Sequence, residues 1–241
     1  MYRHLTVTFF SVLLLFSASK AEAGFWDTIL KRLGLISSET SLSEDKIIAG
    51  LKEALSVGTE NSVELTGKVD GYLANNAIKI LLPENIARFE ENLRMLGAGE
   101  YVDSFILSMN RAAEKAAPRA RAIFADAIKK ITFDDARKLL SGGDTAITDF
   151  FKSKTYENLL AAFAPVVDKE LDNYGVTAKY KSVADSLSKV PFASELPVVD
   201  IKKYVTSKAL DGLFHVLADE EKNIRRNPAA RVTSLLKEVF K

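Results

Sequence analysis

Asp200-Ile-Lys-Lys-Tyr-Val-Thr-Ser-Lys-Ala-Leu-Asp-Gly-Leu-Phe-His-Val-Leu-Ala-Asp-Glu-Glu-Lys-Asn-Ile-Arg-Arg226 has the period of an α-helix. At 100° per residue, Val205, Ala209, Leu213, Val216, Leu217 and Ile224 form one apolar arc. Lys208, Asp211, His215, Asp219, Lys222 and Arg226 gather on the opposite side. Asp200 is a helix-capping residue type. Asn227-Pro228 combines a cap with a proline suited to the first helical turn, so another helix is expected to run to about Phe240.

Upstream, the same grammar repeats. Ser41 followed by Glu44 reads as a capping box opening a helix through Leu55, with Ile47, Ile48, Leu51 and Leu55 as its stripe. Gly58 is expected to interrupt it, and a second helix to cover about 60–81. Pro83 starts a helix that stops at Gly97. Residues 100–117 place Val102, Phe105, Ile106, Met109, Ala113 and Ala116 on one face, with small alanines that let a neighbouring helix come close. Pro118 breaks or kinks the helix, which resumes through Ile131. Thr132 with Asp135 starts another, ending at Gly142-Gly143. Asp144 is expected to cap 145–152, Thr155 to cap a helix to Asn173, and 177–188 to be helical. Residues 190–199, with Pro191 and Pro197, form the one clear loop or at most a short hairpin. The fold class is therefore all-α, a single multi-helix bundle of about ten helices over 43–241. Strand signals are nearly absent.

The first 23 residues read differently. Arg3 and His4 precede the apolar run Leu5–Ser17, and Ala21-Glu22-Ala23 matches an A-x-A cleavage site. The run is shorter than the roughly 20 residues of a membrane span. We therefore expect a cleavable signal peptide, a mature chain starting at Gly24, and a periplasmic protein of a Gram-negative bacterium. A lipid anchor requires Cys as the first mature residue, and Gly24 occupies that place. Residues 24–42 form an amphipathic segment. Phe25, Trp26, Ile29, Leu30 and Leu33 share a face opposite Asp27, Lys31 and Arg32. Such a face suits a membrane interface, docking on its own domain, or a mobile state.

Composition narrows the chemistry. The chain of 241 residues has no cysteine, so packing alone must hold it. Removing 1–23 takes Arg3, Lys20 and Glu22 and leaves basic and acidic residues balanced. That balance argues against nucleic acid as a partner. His215 is the single histidine of the mature chain, which nearly excludes zinc and leaves only an all-carboxylate calcium or magnesium site open, for which no D-x-D-x-D-G loop appears; no cofactor is expected. Asp211, His215 and Asp219 fall at i, i+4, i+8, but on the solvated face, where helical charge pairing explains them. Ser186-Leu187-Ser188-Lys189 matches S-x-x-K without the S-D-N or K-T-G that accompany it in penicillin-recognising enzymes. The Gly142-Gly143 turn invites an anion, which Asp144 would repel.

A buried polar cluster is the remaining candidate: Asn110, Arg111, Glu114, Glu220, Arg225 and Arg231. Asn110 and Glu114 share one edge of a buried arc. Glu220 projects into the middle of the apolar arc of 205–224, which is costly unless an arginine meets it. Arg231 is the nearest such partner, with Arg111 and Arg119 as others.

Four stretches carry a resemblance. They are Gly50-Leu-Lys-Glu-Ala-Leu55, Met109-Asn-Arg-Ala-Ala-Glu114, Ala209-Leu-Asp-Gly-Leu-Phe214, and Glu220-Glu221 through Ile224-Arg225, Asn227-Pro228 and Arg231. Through them the chain resembles an uncharacterised bacterial family, domain of unknown function 4197, over roughly 43–240. The resemblance implies an exported helical protein and supplies no catalytic residues. The leading expectation is a non-catalytic domain that binds a partner protein or an apolar small molecule between helices. A carboxylate-based hydrolase using Glu114 and Glu220 is the rival. An envelope structural or assembly factor is the third reading.

Overall fold

Ser43 opens the first helix by accepting a hydrogen bond from the Lys46 N–H, so the cap lies two residues beyond the expected Ser41. The computed structural model describes residues 43–176, 182, 199–231 and 233–239. The leader, the 24–36 face, the expected 177–188 helix apart from Ser182, the 190–198 loop and the Ser186–Lys189 motif lie outside the described residues.

The elements are α1 (Glu44–Gly67), α2 (Gly99–Ala116), α3 (Ala120–Lys129), α4 (Phe133–Leu140), α5 (Ala146–Asn173), α6 (Ile201–Arg226) and α7 (Ser234–Val239). Two short turns of helix, Glu84–Ala87 and Glu90–Met95, sit in the α1–α2 connection. Among the described residues the fold is all-helical, with seven helices rather than about ten.

Fusion explains part of the difference. Gly58 does not stop α1, because it lies where α6 crosses and the helix runs on to Gly67. The expected helices 145–152 and 155–173 are one, α5, since Thr155 returns its hydroxyl to the Phe151 carbonyl and stays inside the helix. The expected 60–81 helix ends at Gly67 instead. Asp70 takes a left-handed φ of 65°, and the chain then runs through turns to Pro83. Asp-Gly at 70–71 and Asn-Asn at 75–76 are turn formers. Pro118 gives a 3₁₀ turn, Ala117–Arg119, between α2 and α3. Gly97, at φ 80°, closes the Glu90–Met95 turn, with the Ala98 N–H donating to the Leu93 carbonyl. Thr132 and Asp135 form the expected capping box, and Asp200 caps α6.

Packing follows from the stripes. α6 lies against α5, α1 and α2, while α2 also packs on α5. α1 contacts α3, α4 and α7. Ala112, Ala113, Ala116, Ala117 and Ala120 are fully buried, which is how α2 and its continuation admit close neighbours. Phe105, Phe124, Phe151 and Phe163 fill the centre. Phe124 meets Phe151 at 5.8 Å and Phe214 edge-on at 6.1 Å between ring centres.

Candidate functional site

Two carboxylates sit in this core, and each is spent on main chain from another element. Glu114 on α2 is 3% exposed. Its Oε1 accepts from the Tyr72 and Leu73 N–H groups at 3.2 and 3.3 Å. Its Oε2 accepts from Arg111 Nη1 at 2.7 Å, and Arg111 Nη2 reaches Asp70 at 2.7 Å. The bond to Glu114 holds the Arg111 guanidinium above its usual range. One turn earlier, the Asn110 amide closes both polar groups of Ile80. Its Oδ1 accepts from the Ile80 N–H at 2.9 Å, and its Nδ2 donates to the Ile80 carbonyl at 2.8 Å. Asn110, Arg111 and Glu114 thus pin the turn-rich segment 70–80 to α2. Tyr72, fully buried inside that segment, donates to the Ala209 carbonyl at 2.6 Å. Burial, then the Glu114 charge, pushes its phenol well above the ordinary value.

The second buried carboxylate is Glu221, and this corrects the expectation for Glu220. Glu220 is half-buried and accepts from Asn61 Nδ2 at 2.9 Å; no arginine bonds it among the described residues. Glu221 is 5% exposed. It accepts from the N–H groups of Ile147 and Thr148 at 3.0 and 2.8 Å and from the Thr148 hydroxyl at 2.8 Å. Those N–H groups belong to the first turn of α5, which Thr145 leaves without a side-chain cap. A carboxylate there satisfies orphan donors and meets the positive helix end. Asp144, expected to cap this helix, pairs with Arg226 instead.

Arg225 completes the device. It donates to Glu221 at 2.9 Å and to the Leu139 and Leu140 carbonyls at the end of α4, at 2.7 and 3.3 Å. Arg231 donates to the Ile224 and Arg225 carbonyls, closing the C-terminus of α6. One ion pair on α6 therefore caps the end of α4 and the start of α5. The structure brings Arg225 to Glu221, keeps Arg231 for the helix end, and holds Glu114 and Glu220 on separate partners.

A family model described as Protein of unknown function (DUF4197) matches residues 41–241. The chain belongs to this family. No curated protein and no solved structure matches it. In this DUF4197 chain two of the stretches that carry the resemblance are linked through the 70–80 segment: Met109–Glu114 holds that segment, and its Tyr72 reaches Ala209.

Neither Glu114 nor Glu221 lines the larger concavities. The larger, about 560 Å³, runs between α3, the start of α4 and α5. Ile123, Ala127, Ile131 and Phe150 give it an apolar lining; Lys130, Lys154 and Asn158 are polar groups on the same wall. A second, about 380 Å³, lies between residues 77–82 and α6. A void of about 20 Å³, the size of one water, is lined by Ala54, Gly58, Leu217, Glu221 and Ile224. Asp211 and His215 are exposed, pairing with Lys152 and Asp219. Among the described residues no group of three His, Cys, Asp or Glu side chains is placed to hold a metal, and no helix is long and apolar enough to cross a membrane.

Proposed function

We propose that the chain is an exported, periplasmic binding domain without catalytic activity, and that it holds an apolar small molecule in the groove between α3, α4 and α5. The observation that carries this reading is the groove itself. Its volume of about 560 Å³ is within the range of small-molecule sites, and its apolar lining carries a few polar groups. Asp126 is engaged by Lys129, and Asp135 by the Thr132 cap. Lys154 lies near the Asp135 carboxylate and over the Phe150 ring, so Lys130 is the lining cation that has no ion pair among the described residues and is placed to meet an anionic end of an otherwise apolar ligand.

The carboxylates support the same reading. A glycosidase-like pair lines an open cleft with room for substrate between its members. Glu114 and Glu221 are instead closed by arginines and backbone N–H groups.

The test uses a fluorescent long-chain carboxylic acid as probe. Binding is expected to the full chain, with loss in Ala127→Trp, whose indole fills the groove. Unchanged binding by that variant, or none by the parent, removes the reading. Native mass spectrometry of protein taken from the periplasm should show an added mass. An intact mass starting at Gly24 checks export separately.

A further inference from the structure

Two helical stripes wall the groove between α3, α4 and α5. Ile123, Asp126, Ala127 and Lys130 follow one another at i, i+3, i+4 and i+7 along α3 to the residue that caps its end. Phe150, Lys154, Asn158 and Ala161 run along α5, which packs on α3. At three- and four-residue spacing each set lies on one side of its helix. Ile131 and Asp135 close the end where α4 begins.

Most polar side chains on these walls are already spent. Asp126 meets Lys129 at 3.3 Å. Asp135 accepts from the Thr132 hydroxyl at 2.7 Å and from the Thr132 N–H at 3.1 Å. Lys154 lies near that carboxylate, its ammonium 5.7 Å from the centre of the Phe150 ring. Thr155 returns its hydroxyl to the Phe151 carbonyl at 2.7 Å. The Lys130 ammonium and the Asn158 carboxamide are left, with no hydrogen bond or ion pair among the described residues.

The chemistry of these two groups specifies a head group. Lys130 supplies one positive charge, and Asp126 and Asp135 line the same groove, so a second negative charge on the ligand would be repelled. A monoanion fits, and a dianionic phosphate does not. Asn158 offers an acceptor oxygen and an N–H donor group together. A secondary amide presents the complementary C=O and N–H. A plain fatty acid has only acceptors when ionised and leaves the Asn158 oxygen unmet.

We propose that the ligand of this groove is an N-acyl amino acid bearing a single carboxylate. Its acyl chain lies against Ile123, Ala127 and Phe150, its amide pairs with Asn158, and its carboxylate meets Lys130, whose flexible four-carbon stem lets the ammonium follow the head. The proposal rests on the small-molecule reading of the groove. It adds the chemical class of the ligand and makes Lys130 and Asn158 the residues that determine specificity.

The test displaces the fluorescent long-chain carboxylic acid from the full chain. N-decanoylglycine and tridecanoic acid share chain length and charge and differ by one amide. The ratio of their affinities, acylglycine over fatty acid, should fall about fivefold or more in Asn158→Ala, the worth of one net hydrogen bond. The methyl ester of N-decanoylglycine should compete about fivefold or more weakly than the acid in the parent, and equally with it in Lys130→Gln. Both side chains are exposed, so neither variant removes a contact that the fold uses. A parent that binds tridecanoic acid, with the ratio unchanged in Asn158→Ala, overturns the proposal and leaves the groove reading standing. So does a parent that does not distinguish acid from ester, or a Lys130→Gln that keeps the full preference. A parent that binds no competitor and no probe removes both. N-acetyl-trileucine competing as well as N-decanoylglycine overturns the proposal too, by assigning the groove to the C-terminal end of a polypeptide.

Discussion

Two glycines in the middle of long helices, Gly58 in α1 and Gly212 in α6, should respond oppositely to the same added methyl. A Cβ at Gly58 would meet Ile224 Cδ1 at 3.8 Å, Leu217 Cδ1 at 3.9 Å and Glu220 Cβ at 4.0 Å, all ordinary contacts. It would enter the void of about 20 Å³ that Gly58 lines. Replacing a helix-interior glycine gains about 1 kcal/mol, and burying a methyl about 0.8 kcal/mol more. Gly58→Ala should therefore stabilise by about 1.5–2 kcal/mol, raising Tm by roughly 3–7 °C in a chain of this size. At Gly212 the new carbon would lie 2.6 Å from Tyr72 Cε1 and 3.1 Å from Ile78 Cβ. The ring cannot yield, since Tyr72 is fully buried and its hydroxyl is held by the Ala209 carbonyl. Overpacking and a strained buried hydrogen bond should outweigh the propensity gain, for a net loss of about 2 kcal/mol. Urea unfolding followed by far-ultraviolet ellipticity measures both. A neutral or destabilised Gly58→Ala, or a Gly212→Ala as stable as the parent, would refute the packing described for the α1–α6 and Tyr72–α6 contacts.

Two further outcomes follow from the polar contacts. Glu221→Ala leaves the buried Arg225 charge without its carboxylate and two α5 N–H groups without their acceptor, so it should cost about 3–5 kcal/mol, whereas Glu220→Ala, losing one half-exposed amide contact, should cost under about 1 kcal/mol by the same unfolding assay. The Thr132 hydroxyl and N–H lower the Asp135 carboxyl below its ordinary value, so its stabilisation is complete above about pH 4 and is lost as pH falls through the lowered folded value; the urea midpoint should drop in that window, and less so in Asp135→Asn.

Much of the helical layout was legible because local rules decide it. Thr132–Asp135, Asp200, Gly97 and Pro118 each act within one turn of chain, and each does in the structure what its type implies. The failures came where a distant partner overrides a local signal. Gly58 looks like a breaker until α6 crosses beside it. Residues 68–82 carry apolar spacing that also suits a helix. Yet they are fixed as turns and an extended strip by Asn110 and Glu114, which lie 30 to 42 residues away. The Asp-Gly and Asn-Asn pairs were the available warning.

The misassignment of Glu220 for Glu221 shows why a helical wheel locates burial better than it locates charge. Averaged along α6, Glu220 lies at the centre of the apolar arc, and neighbouring Glu221 lies 100° around it. The wheel treats each buried direction as equivalent. In the folded chain they differ in kind. Toward Glu220 lies the side of α1, whose backbone groups are already paired within the helix and which offers only the Asn61 amide. Toward Glu221 lies the end of α5, with N–H groups that no residue of its own helix can satisfy. A carboxylate is tolerated in the core where unmet donors await it, so the position of a helix terminus, not the phase of the apolar stripe, selects the acid. Arg225 obeys the same rule with opposite sign at the carbonyl end of α4. The two charges on α6 therefore mark where two other helices stop and start, and reading them that way places the α4–α5 turn against α6.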